Sequence, residues 1–182
     1  MIVIGIDSGL DGALVALRFS PAIGPITPGT DPVLIGRPEL VHAEVAPTVQ
    51  GKTRRLYRLA AMLHLLRFVG QDTRQEITFA CLERGGTRPK EGAAQSWTSG
   101  YGFGLWEMAL ASLGIPYETP TPQQWQKEVY RGIVGEGKER SVLAVDRSLP
   151  GMNLLRTPKC KKPHLGLADA AAIALYAARR AP

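Results

Sequence analysis

The sequence predicts an α/β fold built on a single mixed sheet, and three observations carry that expectation. Residues 1–7 form a short apolar run closed by Asp7, and residues 13–19 answer it across a tight turn containing Gly9, Asp11 and Gly12, the pattern of an antiparallel hairpin. Residues 77–83 are a second such run, Ile-Thr-Phe-Ala-Cys-Leu closed by Glu83. Segments of helical period follow each of these units. Strands joined by crossover helices need both faces of their sheet covered, which a layered α/β arrangement supplies.

The elements follow in order. Between the hairpin and a third strand expected over 39–46, residues 20–38 hold five prolines and several glycines, which reads as an ordered but irregular insertion. Residues 53–69 predict the first helix, with Leu56, Leu59, Ala60, Leu63 and Leu66 on one stripe and Arg54, Arg55, Arg58 and Arg67 forming a basic face. Residues 77–83 are expected to return beside the first strand, since consecutive units tend to be neighbours. A second helix spans 92–113, ended by Gly114, and 115–118 is a short strand. One helical run falls within 120–130, another over 138–149, and the last over 167–180. The sum is a central mixed five-stranded sheet, its first three strands antiparallel, flanked by helices. Nothing suggests a repeat or a second domain, so residues 1–182 read as one unit.

Composition narrows the partners. The formal net charge is +6, with 22 basic residues against 16 acidic, and 15 of the 22 are arginine. This balance suits nucleic acid or an anionic membrane face, and arginine favours planar, bidentate phosphate contacts. No apolar stretch reaches the ~18 residues of a membrane span, and no secretory leader is evident, so a cytoplasmic location is expected. Two cysteines, Cys81 in a strand-like run and Cys160 among lysines, do not make a disulfide framework or a zinc knuckle.

Against that basic background, Asp7, Glu83 and Asp169 stand at edges of apolar or small-residue sequence. Asp7 and Glu83 close strands that would emerge on one edge of the sheet, and Asp169 is expected in the first turn of the last helix, where free amides favour a negative charge. Each acid alone could be a turn former or a helix-end charge. Three converging carboxylates repel one another unless protonated or neutralised by a cation, and oxygen-only ligation suits magnesium or manganese better than zinc. Asp11, in an Asp-Gly turn pair, reads as structural.

Three motifs in this order, Ile4-Gly5-Ile6-Asp7-Ser8-Gly9 with Gly12-Ala13, then Cys81-Leu82-Glu83-Arg84, then Leu167-Ala168-Asp169 with its alanine run, resemble the RuvC family of Holliday junction resolvases, in the ribonuclease H-like superfamily. The likeness continues through Trp97–Thr119 and Pro122-Gln123-Gln124-Trp125, a stretch similar to bacteriophage RuvC-like proteins. It implies a ribonuclease H-like fold, with Asp7, Glu83 and Asp169 as catalytic metal ligands for two Mg2+ ions, Mn2+ substituting. The family's fourth ligand lies three residues before the last aspartate, where this chain has Gly166. His164 is the candidate replacement as metal ligand and catalytic group, provided that residues 163–166 are loop or a distorted first turn.

The resemblance further implies resolution of four-way DNA junctions by paired cuts that leave 5′-phosphate and 3′-hydroxyl ends. Candidate DNA contacts are Arg84, Arg88 and Lys90 in the glycine-rich loop after Glu83, Lys138, and Lys159, Lys161 and Lys162 before the last helix. Two symmetric cuts call for a homodimer, and Gly100, Gly102 and Gly104 in the second helix would permit close helix packing; otherwise they bend or interrupt that helix. Trp97 and Tyr101 share a face with Leu105, as core or as a helix interface, and one of these aromatics could stack on a junction base. Competing readings are a related nuclease for other branched DNA or RNA–DNA hybrid, a non-catalytic DNA-architectural protein, and an actin-like nucleotide-binding module. The last needs a second lobe that the chain lacks the length to build.

Overall fold

The computed structural model describes residues 1–19, 38–52, 55–72, 77–85 and 92–181. The proline-rich insertion, apart from Pro38, lies outside the described residues, as do Arg54, Arg88 and Lys90. The main sheet has five strands in the order β3-β2-β1-β6-β7. Its members are β1 (Ile2–Asp7), β2 (Ala13–Arg18), β3 (Glu39–Val45), β6 (Ile77–Leu82) and β7 (Tyr117–Glu118). β1, β2 and β3 are antiparallel, whereas β6 runs parallel to β1 and β7 parallel to β6. This is the mixed sheet that the apolar runs predict.

A second, two-stranded sheet pairs β4 (Thr48–Gln50) with β5 (Arg55–Tyr57). It corrects the helix expected over 53–69, for α1 spans only Leu59–Asp72. Arg55 therefore belongs to a strand, and of the four arginines of the expected basic face only Arg67 lies in α1. The reason is tertiary. The Tyr57 hydroxyl donates to Ser8 O at 2.9 Å, and the Arg58 amide donates to Pro47 O at 2.9 Å, holding this stretch extended until α1 begins.

The helices α2 (Ala93–Ser112), α3 (Pro122–Val129), α4 (Glu139–Ser148) and α5 (Leu165–Ala177) complete the layers. One core lies between the sheet and α3, α4 and α5; the other lies between the sheet and α1 and α2, around Met62, Leu66, Trp106 and Leu110. α5 is buried on nearly every side, as expected for a helix apolar all round. Its closeness to the sheet is set by Gly5, where a Cβ would sit 2.2 Å from both Ala170 O and Ala174 N. α2 is continuous through Gly100, Gly102 and Gly104. Its buried side is Gly102, Trp106, Ala109 and Leu110, while Trp97 and Tyr101, 56% and 46% exposed, stack on each other at 5.0 Å. The expectation that this aromatic pair is core of the same chain is thereby corrected: the packing stripe lies a third of a turn away.

Candidate active site

Asp7 is the last residue of β1 and Glu83 follows β6 directly, with Ile6 opposite Leu82 in the parallel ladder. The Glu83 amide donates to Ile6 O at 2.9 Å, which extends the pairing by one residue and brings both acids to the same sheet edge. The turn after β1 is shaped by Asp7 itself, whose Oδ1 accepts from the Gly9 amide at 3.1 Å, an Asx turn. Gly12 must be glycine, because a Cβ there would lie 2.0 Å from Asp7 O.

Asp169 comes to this edge from α5, and the charges of Asp7, Glu83, Asp169 and Lys138 all act on one another's neighbourhood. Its place in the helix differs from the expected first turn. His164 is the N-cap, its Nδ1 accepting from the Leu167 amide at 3.3 Å, so α5 starts at Leu165 and Asp169 falls in the second turn. Free helix amides are thus not what holds its charge. Ser141, fully buried on α4, donates to Asp169 Oδ1, and the Tyr130 hydroxyl lies 2.5 Å from Ser141 Oγ. With the serine proton committed to the carboxylate, the tyrosine donates to the serine. Lys138 Nζ stands 3.9 Å from Asp169 Oδ2.

Glu83 has its own outer partner: Trp125 Nε1 donates to Glu83 Oε2 at 2.8 Å from a buried position on α3. That helix is fixed by a Thr121/Gln124 capping box with Pro122 in its first turn. Burial pushes the Asp7 carboxyl up to about 6, with the Gly9 amide opposing it and Asp169 adding to it. Burial, with the Asp7 charge next, pushes Glu83 up to about 7. Two half-buried carboxylates that resist ionisation, with a third beside them, offer the all-oxygen donor chemistry of a hard divalent cation. Among the described residues no group of three or more His, Cys, Asp or Glu side chains is placed closely enough to hold a metal ion as it stands.

His164 accepts at Nδ1, so its neutral ring carries the proton on Nε2. In that tautomer it is a donor, suited to a phosphate oxygen or a water. Burial and the Arg156 charge lower its pKa. Gly166, where the resemblance places a fourth ligand, abuts the turn after β1, and a Cβ there would sit 2.0 Å from Asp11 O. No side chain fits at that position. Of the expected DNA contacts, Lys138 reaches the acids, Arg84 follows Glu83 and donates from Nη2 to Thr119 Oγ1 at 2.8 Å, and Lys159, Lys161 and Lys162 are exposed ahead of α5. Ser141, Trp125 and Tyr130 are site residues that the sequence reading missed as partners of the acids; only Trp125 carried a signal, as part of a recognised motif.

A raised carboxyl pKa in the folded state stabilises the fold at low pH, and that stability is lost as pH rises from the unfolded value through the folded one. Asp7 and Glu83 therefore weaken the metal-free protein progressively between about pH 4 and pH 7. Thermal unfolding in a chelator is expected to give a lower Tm at about pH 8 than at about pH 5, with Mg2+ raising Tm mainly at the higher pH. Glu83→Gln should flatten both trends. A Mg2+ response equal at the two pH values would remove the link between these carboxylates and the cation.

No protein-family model matches the chain, and no curated protein matches it by sequence. Solved structures do match. The Thermus thermophilus RuvC structure aligns with a TM-score of 0.61 at 23% identity, covering 96% of this chain and 92% of that one. The same organism's RuvC in complex with a Holliday junction substrate gives 0.60 at 19% identity over 96% and 91%. The yeast mitochondrial Holliday junction resolvase gives 0.55 at 12% identity over 97% and 77%. At these identities the likeness is one of architecture, and the chain has the ribonuclease H-like α/β fold seen in the RuvC resolvases.

Proposed function

We propose that this protein is a metal-dependent endodeoxyribonuclease that resolves four-way DNA junctions, acting as a homodimer. The observation that carries the reading is the delivery of Asp7, Glu83 and Asp169 to one edge of a RuvC-type fold, two of them with pKa values raised to about 6 and 7. Asp7, Glu83 and Asp169 would hold two Mg2+ ions, or Mn2+ in their place. When bound, such ions would supply an activated water for in-line attack on phosphorus and charge neutralisation at the departing 3′-oxygen, so that hydrolysis would leave 5′-phosphate and 3′-hydroxyl ends.

The chain's own groups do the rest. Ser141 and Trp125 fix the orientation of Asp169 and Glu83, the role of outer partners at metal sites. Lys138 stands where a scissile phosphate would need neutralising. His164, through its Nε2 proton, serves the phosphate or the attacking water as a donor, in place of the fourth ligand that Gly166 cannot be. Arg84, Arg88, Lys90, Lys159, Lys161 and Lys162 contact the backbone of the junction arms. The second protomer docks on the exposed stripe of α2, where Trp97, Tyr101 and Met108 lie at helical spacing with Gly100 and Gly104 between them.

The test is a cleavage panel at equal concentration: four-way junction, fork, linear duplex and RNA–DNA hybrid, with Mg2+ and with chelator. Paired cuts in opposite strands of the junction, only with metal, are the expected result. Preferential cutting of the hybrid or of linear duplex would move the protein to another ribonuclease H-like activity. Junction binding with no metal-dependent cutting would make it an architectural protein.

A further inference from the structure

The turn that carries Asp7 also carries Asp11, and the Asp11 carboxylate spans two guanidinium groups from distant parts of the chain. Its Oδ2 lies 2.8 Å from Arg55 Nη2 on β5, and its Oδ1 lies 3.8 Å from Arg156 Nη1 in the segment before α5. Asp11 is the most exposed of the three, at 68%, while Arg55 and Arg156 are 28% and 45% exposed. The backbone beneath is tightly fixed, since Gly166 packs on Asp11 O and Tyr57, two residues after Arg55, is bonded to Ser8 O. The charges of Arg156, Asp11, Arg55 and Lys138 all reach the His164 ring, and Lys138 pairs with Asp169. The bridge therefore adjoins the carboxylate edge on the same surface.

An exposed ion pair of this kind contributes little to the stability of a fold, so stability gives little reason for it. An exposed acid beside the cations of a surface that meets a polyanion works against binding. It does, however, bring two arginines together around one anion, and a guanidinium pairs with a phosphate as well as with a carboxylate.

We propose that Arg55 and Arg156 form a seat for one non-scissile DNA backbone phosphate next to the cleavage site, and that Asp11 is the internal anion that occupies this seat until DNA displaces it. This rests on the nucleic-acid reading above. Asp11 is a positioning and competing residue, not a catalytic one. When the phosphate enters, the freed carboxylate gathers a cation from solution, which offsets part of the counterion release that favours the complex. Removing the carboxylate removes that offset.

The experiment is junction binding in chelator, so that no strand is cut, measured across a salt series for the full-length protein. Wild type, Asp11→Asn, Arg55→Gln and Arg156→Gln are compared, each with its Tm. Asp11→Asn is expected to bind several-fold more tightly and with a steeper salt dependence, by up to about one ion per complex, while each arginine variant binds more weakly with a shallower slope, the two together losing about the 0.9 of one phosphate contact. Asp11→Asn combined with Arg55→Gln should lose most of the gain. Unchanged or weaker binding by Asp11→Asn at wild-type Tm, or arginine variants with the wild-type slope, overturns the seat while leaving the nuclease reading intact. Absence of salt-dependent junction binding by the wild type overturns both.

Discussion

Asp7→Asn, Glu83→Gln and Asp169→Asn are each expected to abolish strand cutting while leaving junction binding intact or tighter. Each change keeps the side chain's shape and removes one negative charge from the path of a polyanion. Gln at 83 can still accept from Trp125, so the fold around it survives. The loss in cutting should exceed the ~10–100-fold that follows from disturbing an outer partner of a metal ligand. Binding and single-turnover cutting on saturating DNA separate the two effects, and Mn2+ titration reads the metal site without reference to activity. A carboxylate variant that lost binding yet cut saturating DNA at the wild-type rate would show that these acids are not metal ligands.

Gly5→Ala should be among the most damaging single-methyl additions to the fold. A Cβ at this position meets Ala170 O and Ala174 N at 2.2 Å, both backbone atoms of α5, so nothing local can give way. Overpacking of this kind costs about 1–3 kcal/mol, and here the upper end is expected. At this chain length that is a Tm lower by about 6–12 °C, accompanied by weaker metal binding, because α5 carries Asp169. Gly70→Ala is the matched control. Among the described residues outside its own helix backbone and chain neighbours, the nearest atom to a Cβ there is Ile77 Cδ1 at 4.0 Å, the position lies inside α1, and the change should be neutral or stabilising by about 0.5–1 kcal/mol. Equal losses at both positions would sink the close-contact argument.

How far the sequence carries depends on the range of the forces involved. The apolar runs ending at Asp7 and Glu83 declare β1 and β6, and a parallel neighbour relation puts both acids on one edge. Those are local patterns with a short topological step. The β4–β5 pair was not legible, because the apolar stripe of α1 continues backwards through Leu56 and only the contacts of Tyr57 and Arg58 keep that stretch extended. The start of α5 was misplaced for a similar reason: His164 caps through its ring Nδ1, a weaker sequence signal than Ser, Thr, Asp or Asn. The outer partners of the acids lie 28 and 42 residues away from them in the chain. No periodicity reports a serine under an aspartate or an indole against a glutamate; only the packing of α3 and α4 on α5 creates those pairs.

The burial of α5 has a consequence for how the molecule opens. Amides in the middle of a helix covered on nearly every side, with its backbone pressed on β1, are released to solvent only when the whole unit unfolds. Asp169 is mounted on that last-melting element. Arg84 and Lys138, in contrast, sit on exposed connections outside the helices and strands, where openings of much lower free energy prevail. Asp169 thus keeps its place through fluctuations short of global unfolding, while Arg84 and Lys138 are free to adjust their positions beside it.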